Sequence, residues 1–463
     1  MTMELVTDFP RPEPSAPRPY HFPRFERHAL DNGVQLIVAP VRKLPLVSVL
    51  AVTEAGAVVD PAGREGLAQL AAGALAEGIA SGDGAELTRR FERLGAEFSA
   101  HADWDVAGAR LTVTPSRLGE ALALFGEVLT TPTFPAREVE RLKAERLAEL
   151  LQQRTEPRGL AEDMFARFLY APDARYGKPD GGDEASVAAV TRDDVAAFWA
   201  ERYRPGGTTL VVVGDVSVDD ARRLAEATLG GWRGERPPAG AGAAAPDEAA
   251  RLTRAMHLVD KPDAPQSELR LGHVGLPRLH PDYFPVTVMN ALLGGLFNSR
   301  INLNLRERHG YTYGAFSHFD WRRAAGPFVV STAVANDVTH RAAQEALLEV
   351  ERFGDATVDE RELTLATDYL DGVFPIRFET TSAIAGALGG LVTYGLPEDY
   401  YDGYRASVRA VTPDDVRRVA REHLQSARLQ LVVVGAAAAV REPLESLGFG
   451  PLTVYDADGT PRE

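Results

Sequence analysis

The chain of 463 residues contains no cysteine. It therefore cannot form a disulfide, a thiolate zinc site, an iron–sulfur cluster or a cysteine nucleophile. An excess of basic residues is also missing, because 50 lysines and arginines stand against 66 aspartates and glutamates, a formal net charge of −16. This balance argues against nucleic acid and anionic membrane surfaces, since both require a basic face. No apolar run approaches the roughly 20 residues that cross a bilayer, so no membrane span is expected.

Two further features are missing. The first eight residues carry neither the basic segment nor the apolar core of a secretory signal, which predicts a cytoplasmic location, or a periplasmic one if the start has been trimmed. Ten histidines are present, but no two lie three or four residues apart. No helix can then present a paired imidazole site at the spacing of adjacent turns, and no metal site is predicted in this chain.

Two segments of the chain occur twice at one spacing. Val-Thr-Arg-Asp-Asp-Val at 190–195 returns, with Pro for Arg, at 411–416, and an apolar run at 210–214 returns at 431–435; both pairs lie 221 residues apart. Threonine before two acids predicts a helix start, and the apolar run predicts a buried strand. The repeat predicts two homologous αβ domains. Helices grouped between strand runs, such as the amphipathic stretch 138–153, favour an α+β fold.

The composition divides the chain into five parts. Clustered prolines indicate an extended arm, an Asn32-Gly33 turn indicates a hairpin at the start of the first domain, and a Gly-, Pro- and Ala-rich stretch indicates a linker. The predicted parts are an arm at 1–24, an N-terminal domain at 25–233, a linker at 234–254, a C-terminal domain at 255–446 and a tail at 447–463.

Residues 66–73 read Gly-Leu-Ala-Gln-Leu-Ala-Ala-Gly. This segment resembles the zinc-binding helix of the M16 metallopeptidases, the insulinase and mitochondrial processing peptidase family, where Gly-Leu-Ala precedes His-x-x-Glu-His. In that motif two histidines bind zinc and the glutamate is the general base. The corresponding residues here are Gln69, Ala72 and Gly73, which cannot hold zinc or activate water. Glu149, eight residues before Pro157, corresponds to the family's third ligand, so one ligand position of three remains.

A second segment resembles the family's C-terminal signature. It contains Leu-Gly-Gly at 293–295, Ser-Arg at 299–300, Leu-Arg-Glu at 305–307, and then a glycine and a tyrosine at 310 and 313. The leucine that follows Ser-Arg in the family is Ile301 here. The resemblance also implies the family's fold, in which two αβ domains form a clam-like half shell.

The resemblance implies roles for residues of this second segment. Arg306 and Tyr313 would face a zinc site and hold the substrate backbone; a guanidinium and a phenol both suit a peptide carbonyl or an oxyanion. The Gly-Gly pair lacks the Gly-Lys-Ser/Thr of a phosphate loop, so a turn approached by a peptide is the better interpretation. The alternative is an ordinary connection between a helix and a strand, in which Arg306 pairs with Glu307 on a solvated face. The additional predicted substrate-binding residues are Gly294, Gly295, Ser299 and Arg300.

Other polar residues have simpler interpretations. Glu77 lies four residues beyond Gly73, but a solvated helix end explains it better than a displaced zinc ligand does. Glu149, without its partner ligands, has the default role of an exposed helical carboxylate. His101, Asp103 and Asp105 alternate as in a strand and would form a polar sheet face.

The resemblance implies a division of labour between two subunits. In two-chain bacterial members of the family, one subunit carries zinc and the other carries the arginine and tyrosine, and this chain is similar to the second kind. It is then expected to pair with a His-x-x-Glu-His-bearing subunit that holds the zinc, to have no cofactor of its own, and to bind a peptide or unfolded polypeptide. A structural role, like that of the core proteins of the respiratory bc1 complex, is the alternative. An active homodimer fails on the missing ligands.

Overall fold

The computed structural model describes residues 18–238, 251–355 and 358–462. Most of the predicted arm and the middle of the predicted linker lie outside these ranges. Residues 18–24 are extended, and Phe22 packs against the C-terminal domain, with its ring 4.6 Å from that of Tyr401. This end of the predicted arm is therefore part of the folded core.

The N-terminal domain is a six-stranded mixed sheet with helices. Its strand order is β1-β2-β8-β3-β7-β6, with β2 and β8 parallel. The strands are β1 Glu26–Ala29, β2 Gln35–Pro40, β3 Val47–Thr53, β6 Glu97–Ala102, β7 Ala107–Val113 and β8 Thr208–Gly214, with a separate small hairpin of β4 Gly78–Ile79 and β5 Gly82–Asp83. The helices are α1 Leu67–Ala74, α2 Gly84–Arg93, α3 Leu118–Thr130, α4 Ala136–Thr155, α5 Pro157–Leu169, α6 Glu184–Ala189, α7 Arg192–Arg202 and α8 Val218–Leu229.

The C-terminal domain is built on a seven-stranded sheet. Its strand order is β11-β12-β10-β13-β9-β14-β15, with β9 and β13 parallel. The strands are β9 Ala255–Asp260, β10 Gln266–Val274, β11 Ala315–Phe319, β12 Pro327–Ala335, β13 Gln430–Gly435, β14 Leu452–Tyr455 and β15 Pro461–Arg462. The helices are α9 Tyr283–Asn290, α10 Arg300–Asn302, α11 Thr339–Phe353, α12 Glu360–Val373, α13 Thr381–Tyr394, α14 Tyr400–Arg409, α15 Pro413–His423 and α16 Ala437–Glu445. Two π-helical turns, Ala291–Gly295 and Leu303–Arg308, flank α10.

The predicted repeat is confirmed by the topology. The N-terminal order β2-β8-β3-β7-β6 recurs as β9-β13-β10-β12-β11. The side chains of Thr191 and Thr412 each accept a backbone N–H at the start of a helix. The carboxylates of Asp194 and Asp415 accept the backbone N–H groups of these two threonines, so both helices begin with the same capping box. The α+β fold with two homologous domains therefore follows from two matching sets of local signals.

The two domains exchange one helix each across their interface. Helix α5 of the first domain buries Leu160 and Phe165 against valines of the C-terminal sheet. Helix α13 of the second domain buries Ile384 and Leu388 against Leu50 and other apolar residues of the N-terminal sheet. Each sheet thus completes its apolar core with a helix from the other half of the chain, which fixes the two domains against one another.

Two predictions made from the sequence are wrong. Residues 447–463 are not a separate tail, because β14 pairs with β9 and β15 pairs with β14. His101, Asp103 and Asp105 do not share a strand, since β6 ends at Ala102 and the chain then turns. The Asp103 carboxylate accepts backbone N–H bonds from positions 105 and 106 at 2.8 and 2.9 Å, which closes this turn. Asp105 is buried and accepts a hydrogen bond from the backbone of Arg323 in the other domain.

No helix in residues 18–238, 251–355 or 358–462 has the length and the apolar composition needed to cross a bilayer.

Candidate functional site

Helix α1 carries the three positions that correspond to the zinc motif. Gly66 precedes it with φ of 95°, a left-handed conformation that favours glycine. The buried carboxylate of Asp60 accepts backbone N–H bonds from Gly66 and Ala68, both at 2.8 Å, which anchors the start of the helix. The helix contacts the edge strand β6 on one side and α4 on another. Gln69, Ala72 and Gly73 are therefore held in a fixed frame, but with side chains that are not ligands.

A guanidinium lies beside two of the corresponding ligand positions, Gln69 and Glu149. Arg146 of α4 pairs with Glu149 at 3.1 Å and donates a hydrogen bond to the carbonyl of Gly181, also at 3.1 Å. A Cβ atom on Gly181 would collide with both the Arg146 guanidinium and the Gln69 amide oxygen, so these two groups meet across this glycine. Arg146 thus pairs with the residue at the third ligand position and lies near the residue at the first.

The residues at this position do not fit a zinc ion. Three of the four groups that bind zinc or activate water are replaced by an amide, a methyl group and a hydrogen, and the remaining carboxylate of Glu149 already has a cationic partner. A fixed positive charge also repels a metal ion. Arg146 was not found from the sequence, although its position three residues before Glu149 on one helix indicates an ion pair.

The loop after α5 closes over the start of α1. Arg175 from this loop donates to Asp60 at 3.1 Å and to the carbonyl of Ala57 at 3.0 Å, and its guanidinium lies 4.9 Å from the centre of the Trp104 ring. Burial raises the pKa of Asp60 to about 6, although Arg175 and the two backbone N–H bonds oppose this rise. Lys178 from the same loop pairs with the buried Glu65 at 2.5 Å. The start of α1 is thus covered by a loop of its own chain, whereas Gln69 and Gly73 are half-buried and the Glu149 side chain is 66% exposed.

The C-terminal segment gives Arg306 and Tyr313 a different setting. Arg306 lies in the second π-helical turn, with its side chain 35% exposed, 3.3 Å from Glu307 and 4.5 Å from the centre of the Phe297 ring. Tyr313 follows Gly310, whose φ of 65° turns the chain back toward β11, and it is 93% exposed. The Glu307 pair of the alternative interpretation is present, but both predicted residues remain accessible to a ligand.

Buried polar residues fix the backbone around this pair. Asn302 is fully buried; its side chain accepts the backbone N–H of Ala315 at 3.0 Å and donates to the carbonyl of Phe297 at 2.7 Å. Thr312 accepts a hydrogen bond from Thr332 on β12 at 3.0 Å. The exposed side chains of Arg306 and Tyr313 are therefore carried on an ordered support.

Three of the other predicted substrate-binding residues have packing roles. Gly294 is buried, and a Cβ atom there would lie 2.5 Å from the backbone nitrogen of Ser317 on β11. Ser299 is buried with no hydrogen-bond partner for its hydroxyl among the described residues. Arg300 forms two 2.7 Å bonds with Glu362 of α12. A direct substrate contact does not suit these three positions, whereas Gly295 is exposed.

Apolar side chains are exposed in the same segment. Phe297 is 56% exposed, and Phe316, on the edge strand β11, is 48% exposed. Strand β11 pairs only with β12 among the described strands, but its other edge packs against the π-helical segment. There the Asn302 side chain accepts the N–H of Ala315, and the Asn290 side chain donates to the carbonyl of Ser317. The segment therefore combines donors and exposed apolar contacts.

The remaining candidates have ordinary roles. Glu77 pairs with Arg141 of α4 at 2.7 Å, as expected for a surface carboxylate. A cavity of about 1,100 Å³ lies at the domain junction, between α5, residues 251–255 and the C-terminal hairpin, and none of the predicted site residues lines it.

Comparisons with known proteins agree with this architecture. Residues 42–174 match the family described as Insulinase (Peptidase family M16), and residues 189–370 match the Peptidase M16 inactive domain. An uncharacterized zinc protease of Streptomyces coelicolor is 25% identical over 353 residues, 76% of each chain. A non-peptidase homolog of Helicobacter pylori is 22% identical over 318 residues, 68% of this chain and 72% of that protein.

A solved structure extends the match to most of the fold. The peptidase M16 inactive domain from Pseudomonas fluorescens superimposes with a TM-score of 0.84 at 27% identity, covering 90% of this chain and 99% of that chain. The chain belongs to the M16 peptidase family, and its two domains have the clam-like arrangement predicted from the sequence. Within that family it is a non-catalytic member, since the ligand positions hold Gln69, Ala72 and Gly73.

Proposed function

We propose that this chain is the substrate-binding subunit of a heterodimeric M16 zinc metallopeptidase. A partner of similar size bears His-x-x-Glu-His and holds the zinc, and the two half shells enclose a peptide or an unfolded polypeptide. Arg306 and Tyr313 of this chain bind the peptide backbone beside the partner's metal site. The observation that carries the proposal is that Arg306 and Tyr313 are accessible on an ordered support, while the N-terminal positions lack a set of zinc ligands.

The chemistry of the pair supports this role. A guanidinium and a phenol are hydrogen-bond donors, and donors aimed at a peptide carbonyl stabilise the charge that develops on its oxygen during hydrolysis. A tyrosine with a structural role usually packs its ring into a core. The ring of Tyr313 is 93% exposed, so it does not have that role in this chain. A partner or a substrate that covers this ring would bury its apolar surface.

The exposed side chains around β11 support a peptide substrate. Phe316 points outward on this strand between the buried Ala315 and Ser317, and offers an apolar contact for a substrate side chain. Arg306 and Tyr313 are donors for main-chain carbonyls, which every peptide carries. Broad sequence selectivity is therefore expected for the complex.

The test is peptide cleavage by this chain mixed with the His-x-x-Glu-His-bearing subunit. We expect each subunit alone to be inactive, the mixture to be active, and zinc to be present in the partner. Arg306→Ala and Tyr313→Phe in this chain should each lower kcat/KM of the complex about 10²- to 10³-fold, the usual cost of one oxyanion donor. Co-elution of the subunits in size-exclusion chromatography should not change.

Matched controls separate this role from a general loss of structure. Arg308 lies on the same π-helical turn, is exposed and makes no ion pair within the described ranges, so Arg308→Ala should retain activity. Tyr369 on α12 is 54% exposed, and Tyr369→Phe serves the same purpose for Tyr313. Unchanged cleavage in the Arg306→Ala complex would remove the proposed role, and a stable complex that never cleaves peptides would favour the scaffold.

A further inference from the structure

Three metal-ligating side chains converge on the C-terminal domain, far from both regions described above. His280 and Asp282 lie in the turn before α9, and His423 is the last residue of α15. One ligand atom from each residue lies within 4.8 Å of the ligand atoms of the other two. His423 is distant in sequence from His280 and Asp282, so the spacing of the histidines predicted no metal site.

The separations are close to those of a metal site. His423 Nε2 lies 2.8 Å from Asp282 Oδ2, and His280 Nδ1 lies 3.9 Å from the same oxygen. Ligand atoms bound at 2.0–2.1 Å around a tetrahedral zinc ion lie about 3.3 Å apart. Movements of less than about an ångström per side chain would therefore convert this cluster into a coordination shell, with two imidazoles and one carboxylate as ligands.

The turn organises these ligands in advance. The backbone N–H of Asp282 donates to His280 Nδ1 at 3.1 Å, and the carbonyl of His280 accepts the backbone N–H of Tyr283 at 3.0 Å. The first bond orients the imidazole, and a metal bound at Nδ1 would replace this N–H at the nitrogen's lone pair. All three side chains are partly buried, so their rotamers are restricted by packing. A nearby acid is also available, because Glu422 Oε2 lies 3.9 Å from His423 Nε2.

We propose that His280, Asp282 and His423 form a structural site for a divalent transition metal, with Zn²⁺ as the best match. The ion would clamp the turn before α9 onto the end of α15, two elements that already pack together. Two nitrogens and one oxygen suit Zn²⁺ better than Mg²⁺ or Ca²⁺, which prefer shells made of oxygens. Water or Glu422 would complete a tetrahedral shell.

Arg418 competes with this ion and provides a sensitive test. Its guanidinium donates to Asp282 Oδ1 at 2.7 Å and to Oδ2 at 3.1 Å, and also reaches Glu422 at 2.8 Å. A cation beside a ligand carboxylate weakens metal binding. If a metal binds there, removing Arg418 should therefore tighten metal binding. If the cluster is only a set of ion pairs, removing Arg418 should weaken the cluster and produce no metal binding.

The experiment is a Zn²⁺ titration of the full chain after chelator treatment and dialysis, in competition with a chromophoric chelator at pH 7.5. We expect one Zn²⁺ per chain. His280→Gln and His423→Gln should each weaken binding at least about 10-fold, the usual loss when a metal's coordination is disturbed. Arg418→Met should tighten it at least about 10-fold. The exposed His21 offers a matched control, and His21→Gln should bind as the unaltered chain does.

Other outcomes would overturn the site. Binding of much less than one ion per chain, or binding that survives both histidine substitutions, excludes it. Binding lost in Glu149→Gln and retained in His423→Gln would assign the ion to the altered N-terminal site instead. If His423→Gln does not fold, Arg418→Met still decides, because weaker or unchanged binding in that variant contradicts the proposal. No arm of the titration depends on peptidase activity.

Discussion

The two halves of the chain share one strand order and place a helical segment beside an edge strand, yet the two regions have diverged. In the N-terminal half, α1 lies against β6, and Arg146 with the loop at 171–183 closes the site. In the C-terminal half, the corresponding segment ends in a π-helical turn against β11, and Tyr313 remains exposed. The same frame thus supports one region in which a loop packs over the start of the helix and one region that presents a 93% exposed tyrosine.

This difference shows that the loss of zinc ligands was not the only change at the N-terminal site. Here the Arg146 guanidinium donates to the carbonyl of Gly181, and the Gln69 amide oxygen lies beside the same glycine. Arg146 also forms an ion pair with Glu149, a surface pair of a kind that adds little to stability. The closure is built from this chain's own residues.

The largest expected effect comes from restoring the zinc motif. The triple variant Gln69→His, Ala72→Glu and Gly73→His should bind zinc poorly while Arg146 is present. At about 5 Å and an effective dielectric constant of about 20, a guanidinium repels a divalent ion by several kcal/mol. Adding Arg146→Ala should then improve the dissociation constant at least about 10³-fold, as measured by competition with a chelator.

Arg137 provides the control for that comparison. It lies on the same helix with its side chain 94% exposed, so adding Arg137→Ala to the triple variant should change little. Stoichiometric, tight zinc binding by the triple variant with Arg146 intact would show that the guanidinium moves aside easily. The N-terminal region would then be an open site with altered ligands, and the contrast between the two halves would weaken.

A second prediction compares glycines at equivalent positions, 221 residues apart. Gly294→Ala should destabilise the fold by roughly 1–3 kcal/mol, because the new methyl group would meet the backbone of Ser317. Gly73→Ala should stabilise it by about 0.4–1 kcal/mol, since Gly73 is helical and its nearest atom outside the helix is Leu142 Cδ1 at 4.0 Å. Urea denaturation of both variants measures the difference, and equal effects would mean that the two segments pack alike.

Local signals explain how much of this could be predicted from the sequence. The capping boxes at Thr191 and Thr412 and the apolar strands depend on neighbouring residues, so the repeat and the fold class were predictable. Strand β14 has four residues and pairs with β9, almost 200 positions earlier, so no local pattern marks it. The turn at Asp103 has the alternation of a strand, but its side-chain bonds to the backbone prevail.

The site residues, too, could be predicted only where neighbouring residues in the sequence mark them. Gln69, Ala72 and Gly73 were recognisable because their motif is contiguous, and so were Arg306 and Tyr313. The closure by Arg146 required knowledge that Gly181, 35 residues away, lies against it. Gly294 and Ser299 match a signature whose glycine and serine are explained here by tight packing and not by contact with a ligand.

The last comparison concerns pH, and the expected effect has opposite signs in the two halves. Burial raises the pKa of Asp60 under the N-terminal loop to about 6, whereas hydrogen bonds from Arg405 and Arg409 lower the pKa of Asp371 on α12 to about 2. An unfolded aspartate has a pKa of about 3.9. Folded Asp60 therefore holds its proton more tightly than the unfolded chain does, and folded Asp371 holds its proton less tightly.

The sign of each contribution follows from these pKa values. The stability that Asp60 contributes is complete below about pH 4 and is lost as the pH rises to about 6, by at most about 1.4 kcal/mol per pH unit. The contribution of Asp371 is complete above about pH 4 and is lost as the pH falls to about 2. Urea denaturation of the unaltered chain, Asp60→Asn and Asp371→Asn from pH 3 to 8 measures both. Parallel profiles for Asp60→Asn and the unaltered chain between pH 4 and 6 would mean that water reaches Asp60, and the N-terminal region would then be as open as the C-terminal one.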